Sequence, residues 1–210
     1  MTRRELLRLV GIAPVAVAVA CSGDGSDNGD AASQPDETSP EPAGSTLEPT
    51  PACGDEPTPP QTEGPFFSDG TPERSSLREA GLAGTPLVVE GAVVTTACAP
   101  IERTRIEFWQ TDDTGEYDNE GYRLRGHLFT GASGGFRLAT IVPGLYQGRT
   151  RHIHAIVGQP SGASALTTQL YFPDEPGNSA DGIFDERLLM TMGEADDGTR
   201  LGTFTFVLAS

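Results

Sequence analysis

The stretch Leu201-Gly202-Thr203-Phe204-Thr205-Phe206-Val207-Leu208 sets Phe204, Phe206 and Leu208 at one parity and Thr203, Thr205 and Val207 at the other. Side chains alternate between faces along a strand, so this spacing makes a ribbon with one strongly apolar face. Runs of similar length, apolar or alternating, occupy residues 87–95, 104–110, 122–130, 135–141, 150–158 and 166–172, separated by Gly, Pro, Asp and Asn. Seven such runs suffice for two packed sheets, so the expected fold is all-β: a β-sandwich of mixed or antiparallel strands with long loops. Helix is expected only as a turn or two around residues 185–190, with a weaker candidate turn in residues 72–80. No internal repeat is present.

The chain has 210 residues, 36% of them hydrophobic, which allows one medium domain and little more. Thirty acidic residues face 14 basic ones, all arginine, for a formal charge of −16. Such a surface repels phosphate backbones and anionic lipid headgroups, so nucleic-acid binding is excluded as an expected function. Residues 1–20 have a short basic start, Arg3-Arg4 and Arg8, and then an apolar run from Leu9 to Ala20 interrupted by Pro14. Twelve residues rise only about 18 Å as a helix, short of the roughly 30 Å hydrocarbon core. The segment therefore reads as a signal peptide with a twin-arginine-like start, followed by a lipobox, Ala18-Val19-Ala20-Cys21, in which Cys21 is the lipidated residue. Residues 21–52 carry seven acidic residues, no basic one and no aromatic, and cannot bury enough apolar surface to offset chain entropy. They read as a disordered tether, and residues 53–210 as the folded domain. An exported protein held at the outer face of the membrane by a lipid anchor, or released, follows from these segments. With Cys21 consumed, three cysteines leave a pair, and an oxidising compartment favours a Cys53–Cys98 disulfide.

His152-Ile153-His154 lies in an expected strand, where the period of two puts both imidazoles on one face. Two such imidazoles make a metal half-site; they are equally the mark of a solvated strand face. Tyr146 follows the turn Pro143-Gly144-Leu145, Tyr117 lies in a glycine-containing loop after Phe108-Trp109, and Arg149 stands between Tyr146 and the histidines. The third histidine, His127, reads as structural or exposed.

In their order along the chain these residues resemble the intradiol ring-cleavage dioxygenases, the catechol and protocatechuate dioxygenase family. Thr62-Glu63-Gly64-Pro65-Phe66-Phe67 is similar to the family's opening segment, and Leu87-Val88-Val89-Glu90-Gly91 with Cys98-Ala99-Pro100 to its first core strand and turn. Trp109-Gln110 with Gly115-Glu116-Tyr117 resembles the segment bearing the first tyrosine ligand, and Thr140-Ile141-Val142-Pro143-Gly144-Leu145-Tyr146 the second. Arg149-Thr150-Arg151-His152-Ile153-His154 resembles the segment with the arginine and both histidines, and Thr168-Gln169-Leu170-Tyr171-Phe172 the strand carrying an active-site glutamine. The resemblance is to the exported, single-domain branch of the family. Two departures stand out: Gly131-Ala132-Ser133-Gly134-Gly135 replaces a turn where an acidic residue is usual, and no long helical dimerisation segment precedes the domain. A monomer is therefore favoured.

The resemblance implies non-haem Fe(III) held by Tyr117, Tyr146, His152 and His154, with Tyr146 the ligand that leaves when substrate binds. It implies a small aromatic diol and O2 as partners, and a muconate-type diacid as product. Arg149 would stabilise oxyanion character beside the ring, and Gln169 would position the substrate. The donor set agrees with the metal: two phenolates and two imidazoles are harder than a cysteine site and suit iron(III). With a hydroxide the charges +3, −1, −1 and −1 sum to zero, so the centre can be buried. A non-catalytic module binding iron or catecholate ligands is the alternative.

Overall fold

A computed structural model describes residue 53, residues 56–158 and residues 164–209. The expected signal peptide, the lipidated Cys21 and the tether lie outside the described residues. In chain order the elements are β1 (Pro86–Thr95), β2 (Arg105–Trp109), β3 (Arg125–Phe129), β4 (Gly135–Ile141), β5 (His152–Gly158), β6 (Ser164–Tyr171), 3-10 turns at Asn178–Ala180 and Glu186–Leu188, β7 (Thr191–Glu194) and β8 (Arg200–Leu208). They form two four-stranded sheets, β4-β1-β8-β7 and β3-β2-β5-β6. β1 and β8 run parallel at the centre of the first sheet, and the other pairings are antiparallel. The sandwich is thus mixed, one of the two arrangements that the alternating runs allow.

Three details differ from the sequence reading. The run 122–130 begins as a strand only at Arg125, because Leu124 takes a left-handed backbone with φ 55° and turns the chain. β7 was not expected: four residues are too few to display a period of two, and it is recognisable only by its pairing with β8. Residues 72–80 form an extended strap in place of a turn, with Glu73 bridging His127 of β3 and Ser76 bridging Ala139 of β4, so one segment ties both sheets. The short helical turn expected at 185–190 is present at Glu186–Leu188, capped by Asp185, which accepts from Arg187 N at 3.0 Å.

Between the sheets lie Leu87, Val89, Leu138, Phe204 and Phe206 from the first and Ile106, Phe108, Ile153, Ala155, Val157 and Leu170 from the second, all fully buried. Gly91 is required where β1 passes β8: a Cβ there would stand 1.7 Å from the Phe204 carbonyl oxygen. Cys53 and Cys98 form the expected disulfide, with Cα atoms 5.6 Å apart.

The other face of the second sheet positions the site. Register pairs Trp109 with Arg125 and with His154, His154 with Gln169, and His152 with Tyr171, so all six side chains share the face turned away from the core. That face is covered. His152 is 5% exposed and His154 3%, so the alternative of a solvated strand face does not hold. Among the described residues no helix is long and apolar enough to cross a membrane.

Candidate functional site

His152 Nδ1 lies 2.7 Å from the Thr150 carbonyl oxygen, which can only accept, so Nδ1 carries the proton and Nε2 is left with its lone pair. That Nε2 faces His154 Nε2 at 3.2 Å and Tyr117 Oη at 3.2 Å, and Tyr117 Oη is 3.0 Å from His154 Nε2. Burial drives the His152 pKa down to about 4, the Thr150 carbonyl opposing and the nearby Arg149 assisting. Burial, with His152 and Arg149 adjoining, holds His154 well below the usual histidine range. Both rings are therefore neutral at pH 7, the form that donates to a metal. Burial raises the Tyr117 phenol, against the pull of Arg149 and Arg125. Without a cation it stays protonated.

Trp109 is stacked on His154 with centroids 4.6 Å apart and an interplanar angle of 8°, fixing that ring from the neighbouring strand. Tyr117 is delivered by the loop after β2, which folds around two carboxylates. Asp112 Oδ1 accepts from Thr114 N, Thr114 Oγ1 and Glu116 N, while Asp118 accepts from the backbone of Glu120, Gly121 and Arg123. The buried Arg125 donates to Asp118 O at 2.8 Å and to Phe66 O at 2.5 Å. Phe66 in turn stacks on Tyr117 at 4.6 Å, so one guanidinium holds both the tyrosine loop and the ring that backs it.

Tyr146 stands beside this group without joining it. Its ring is edge-on to Tyr117 at 5.7 Å and to Phe66 at 5.2 Å, and its hydroxyl makes no hydrogen bond among the described residues. The two tyrosine loops are bound to each other: Gly144 N donates to Asp112 O at 2.6 Å and Thr111 Oγ1 to Gly144 O at 2.9 Å. Gly115, at φ +91°, is essential to that approach, since a Cβ would lie 2.2 Å from the Leu145 carbonyl oxygen. Between the loops an open cleft of 530 Å³ is walled by Phe66, Tyr117, Leu145 and Tyr146, with Glu116, Asn119 and Gln147 at its polar side.

Arg149 and Gln169 are joined, with Arg149 Nη2 donating to Gln169 Oε1 at 2.7 Å. Of their companions, the sequence motifs contain Tyr171 and Thr62 but not Gln61 or Asp181. Tyr171 Oη accepts from Arg149 Nη2 at 3.2 Å and donates to Gln61 Oε1 at 2.6 Å; Gln169 Nε2 donates to Thr62 O at 2.9 Å; Asp181 accepts from Arg149 Nε at 2.8 Å. Tyr171 shares the parity of Gln169, a signal that was available. Asp181 and Gln61 lie in loops with no periodicity to mark them. His127 is on β3, two strands from the histidine pair, with its ring 3.3 Å from Thr71 Oγ1, in the structural role expected of it.

Tyr117, His152 and His154 suit a hard trivalent metal. Donors held at 2.0–2.1 Å from one ion at right angles to each other are about 3 Å apart, the spacing these three atoms already have, and a phenolate with two imidazoles matches iron better than zinc or copper(I).

A family model described as Dioxygenase matches residues 62–209. The chain is 31% identical to hydroxyquinol 1,2-dioxygenase of Nocardioides simplex over 145 residues, 58% of this chain and 49% of that one. It spans about half the length of the relatives it matches in this way. Among solved structures, it is similar to the dioxygenase domain of a dioxygenase and carbohydrate-binding protein fusion from the cellulolytic Streptomyces sp. SirexAA-E. That similarity is 51% identity and a TM-score of 0.70 over 73% of this chain and 99% of that one. It is also similar to 3-chlorocatechol 1,2-dioxygenase of Rhodococcus opacus, at 28% identity and a TM-score of 0.67 over 73% of each. The match across nearly the whole folded domain, with the tyrosine and histidine motifs in place, makes this chain a member of the intradiol ring-cleavage dioxygenase family.

Proposed function

We propose that the chain is an exported non-haem iron(III) enzyme that opens the ring of an aromatic diol between its two hydroxyl-bearing carbons. Both atoms of O2 enter the product, a muconate-type diacid. The observation that carries this reading is the convergence of Tyr117 Oη and two neutral imidazole nitrogens within 3.0–3.2 Å of one another on a buried face. Tyr117, His152 and His154 would hold the iron, with Tyr146 as fourth ligand from the adjoining loop. Bound iron(III) supplies the Lewis acidity that keeps phenols ionised and activates a coordinated diolate toward O2.

The chain's own residues do the remainder. Tyr146 Oη, which makes no hydrogen bond among the described residues, would as a metal-held phenolate take a proton from the incoming diol. Trp109 and Phe66 hold His154 and Tyr117 rigid by stacking. Arg149 presents positive charge beside the site for oxyanion character developing on the ring, and Gln169, anchored to Thr62 O, borders the same space. The exported setting is supported by the N-terminal sequence and by the Cys53–Cys98 disulfide, which an oxidising compartment maintains.

The test is oxygen uptake by the iron-loaded chain with catechol, alongside its visible spectrum before and after anaerobic catechol. Uptake in equal amounts with ring opening is expected. An iron-loaded protein that binds catechol and consumes no oxygen would favour a non-catalytic catecholate-binding module.

A further inference from the structure

Asp181 lies 32 residues from Arg149, in the loop between the two 3-10 turns, and its side chain is 2% exposed. One oxygen, Oδ2, accepts from Arg149 Nε at 2.8 Å and from Thr150 N at 3.0 Å; the other accepts from Ile183 N at 3.1 Å. Thr150 is the residue whose carbonyl takes the His152 Nδ1 proton at 2.7 Å. A single carboxylate therefore touches both the guanidinium beside the site and the backbone N–H of the residue whose carbonyl orients a histidine.

Arg149 leaves an exposed turn, its backbone N donating to Tyr146 O at 3.0 Å. It follows Gly148, at φ +72°, and the exposed Gln147. Asp181 fixes Nε, Gln169 and Tyr171 fix Nη2, and Nη1 makes no hydrogen bond among the described residues. The guanidinium is thus clamped along one edge with a donor to spare. A buried ion pair is weak evidence for stability, because desolvation of both charges offsets their attraction. What this pair supplies is direction.

We infer that Asp181 is a positioning residue of the ring-cleavage site: it aims the Arg149 guanidinium. On the ring-cleavage reading, on which this rests, its loss acts through Arg149 on the reacting diol and leaves the metal ligands in place.

Asp181→Asn keeps the size of the side chain and one acceptor oxygen, enough for Thr150 N or Ile183 N but not both, while removing the charge, and Asp181→Ala removes acceptor and charge together. The Asn variant is expected to melt close to wild type, bind iron in the wild-type ratio and lose about tenfold or more in kcat with catechol, KM changing far less. In an Arg149→Ala background the same substitution should cost less than about twofold, since coupled residues are not additive. A readout independent of turnover is the anaerobic catechol complex. Its visible band and its catechol affinity should change alike in Asp181→Asn and Arg149→Ala, and no further in the double variant. Equal losses in the two backgrounds, or an Asn variant with full kcat and an unchanged complex, would overturn the inference. Wild-type chain that holds iron but neither binds nor oxidises catechol would instead remove the ring-cleavage reading and the inference with it.

Discussion

His154 keeps a buried Nδ1 with no hydrogen-bond partner among the described residues, a cost of about 1–3 kcal/mol. Its Nε2 meanwhile shares a space of about 3 Å with another imidazole nitrogen and a phenol. A histidine kept only for packing would be better replaced; one kept for a cation would not. His152→Ala should accordingly lower bound iron from about one per chain to near zero, read by elemental analysis after reconstitution. Full iron retention by that variant would contradict the ligand set. Tyr146→Phe should separate binding from turnover, because its hydroxyl is outside the three-atom group. Iron is expected to stay bound while kcat falls by about 100-fold or more, the contribution typical of a positioned proton acceptor.

The loop after β2 stands or falls with Asp112. Burial works against the charge on this carboxyl, but hydrogen bonds from Thr114 and Glu116 and the Arg123 guanidinium outweigh it and hold the pKa below 3.8. Because the folded value is lower than the unfolded one, the stabilisation is complete above the unfolded pKa and is lost as pH falls through the folded value. Asp112→Asn should therefore lower Tm at pH 7 and shrink the drop in Tm between pH 7 and pH 3, measured by thermal denaturation across that range. An unchanged acid limb would exclude Asp112 from the loop's stability. The Cys53–Cys98 bridge, with its 45-residue separation, constrains the unfolded chain by about 4 kcal/mol on a chain-entropy account. Reduction, or Cys98→Ser, should lower stability by roughly 2–4 kcal/mol in denaturant titration. The tyrosine and histidine cluster should survive, since Thr58 holds the N-terminal segment independently through hydrogen bonds to and from Val207.

Charge acts over the whole molecule. The formal −16 leaves few cations to spare, and three of those near the site are ion-paired: Arg149 with Asp181, Arg151 with Glu175 and Arg123 with Asp112. The charged residue lining the cleft is Glu116. An anionic diol is repelled both on approach and in the cleft, so 3,4-dihydroxybenzoate should show a lower kcat/KM than its methyl ester. The gap should narrow as ionic strength rises from about 0.01 M to 0.5 M and the screening length shortens. Equal values at low salt would show that the molecular field does not select substrate.

A period of two is a local property of strands, so residues 201–208 and six further runs made the sandwich legible from residue order alone, and for the same reason His152 and His154 were expected on one face. Ordered motifs marked Tyr117, Tyr146, Arg149 and Gln169 as well. That this face is covered, that β7 edges the first sheet, that residues 72–80 run as a strap and that Asp181 reaches Arg149 across 32 residues emerged with the folded chain. Periodicity records how a side chain sits relative to its own strand. Loop segments meet through backbone carbonyls, buried carboxylates and stacked rings, contacts that repeat at no interval and become visible only once the chain has folded.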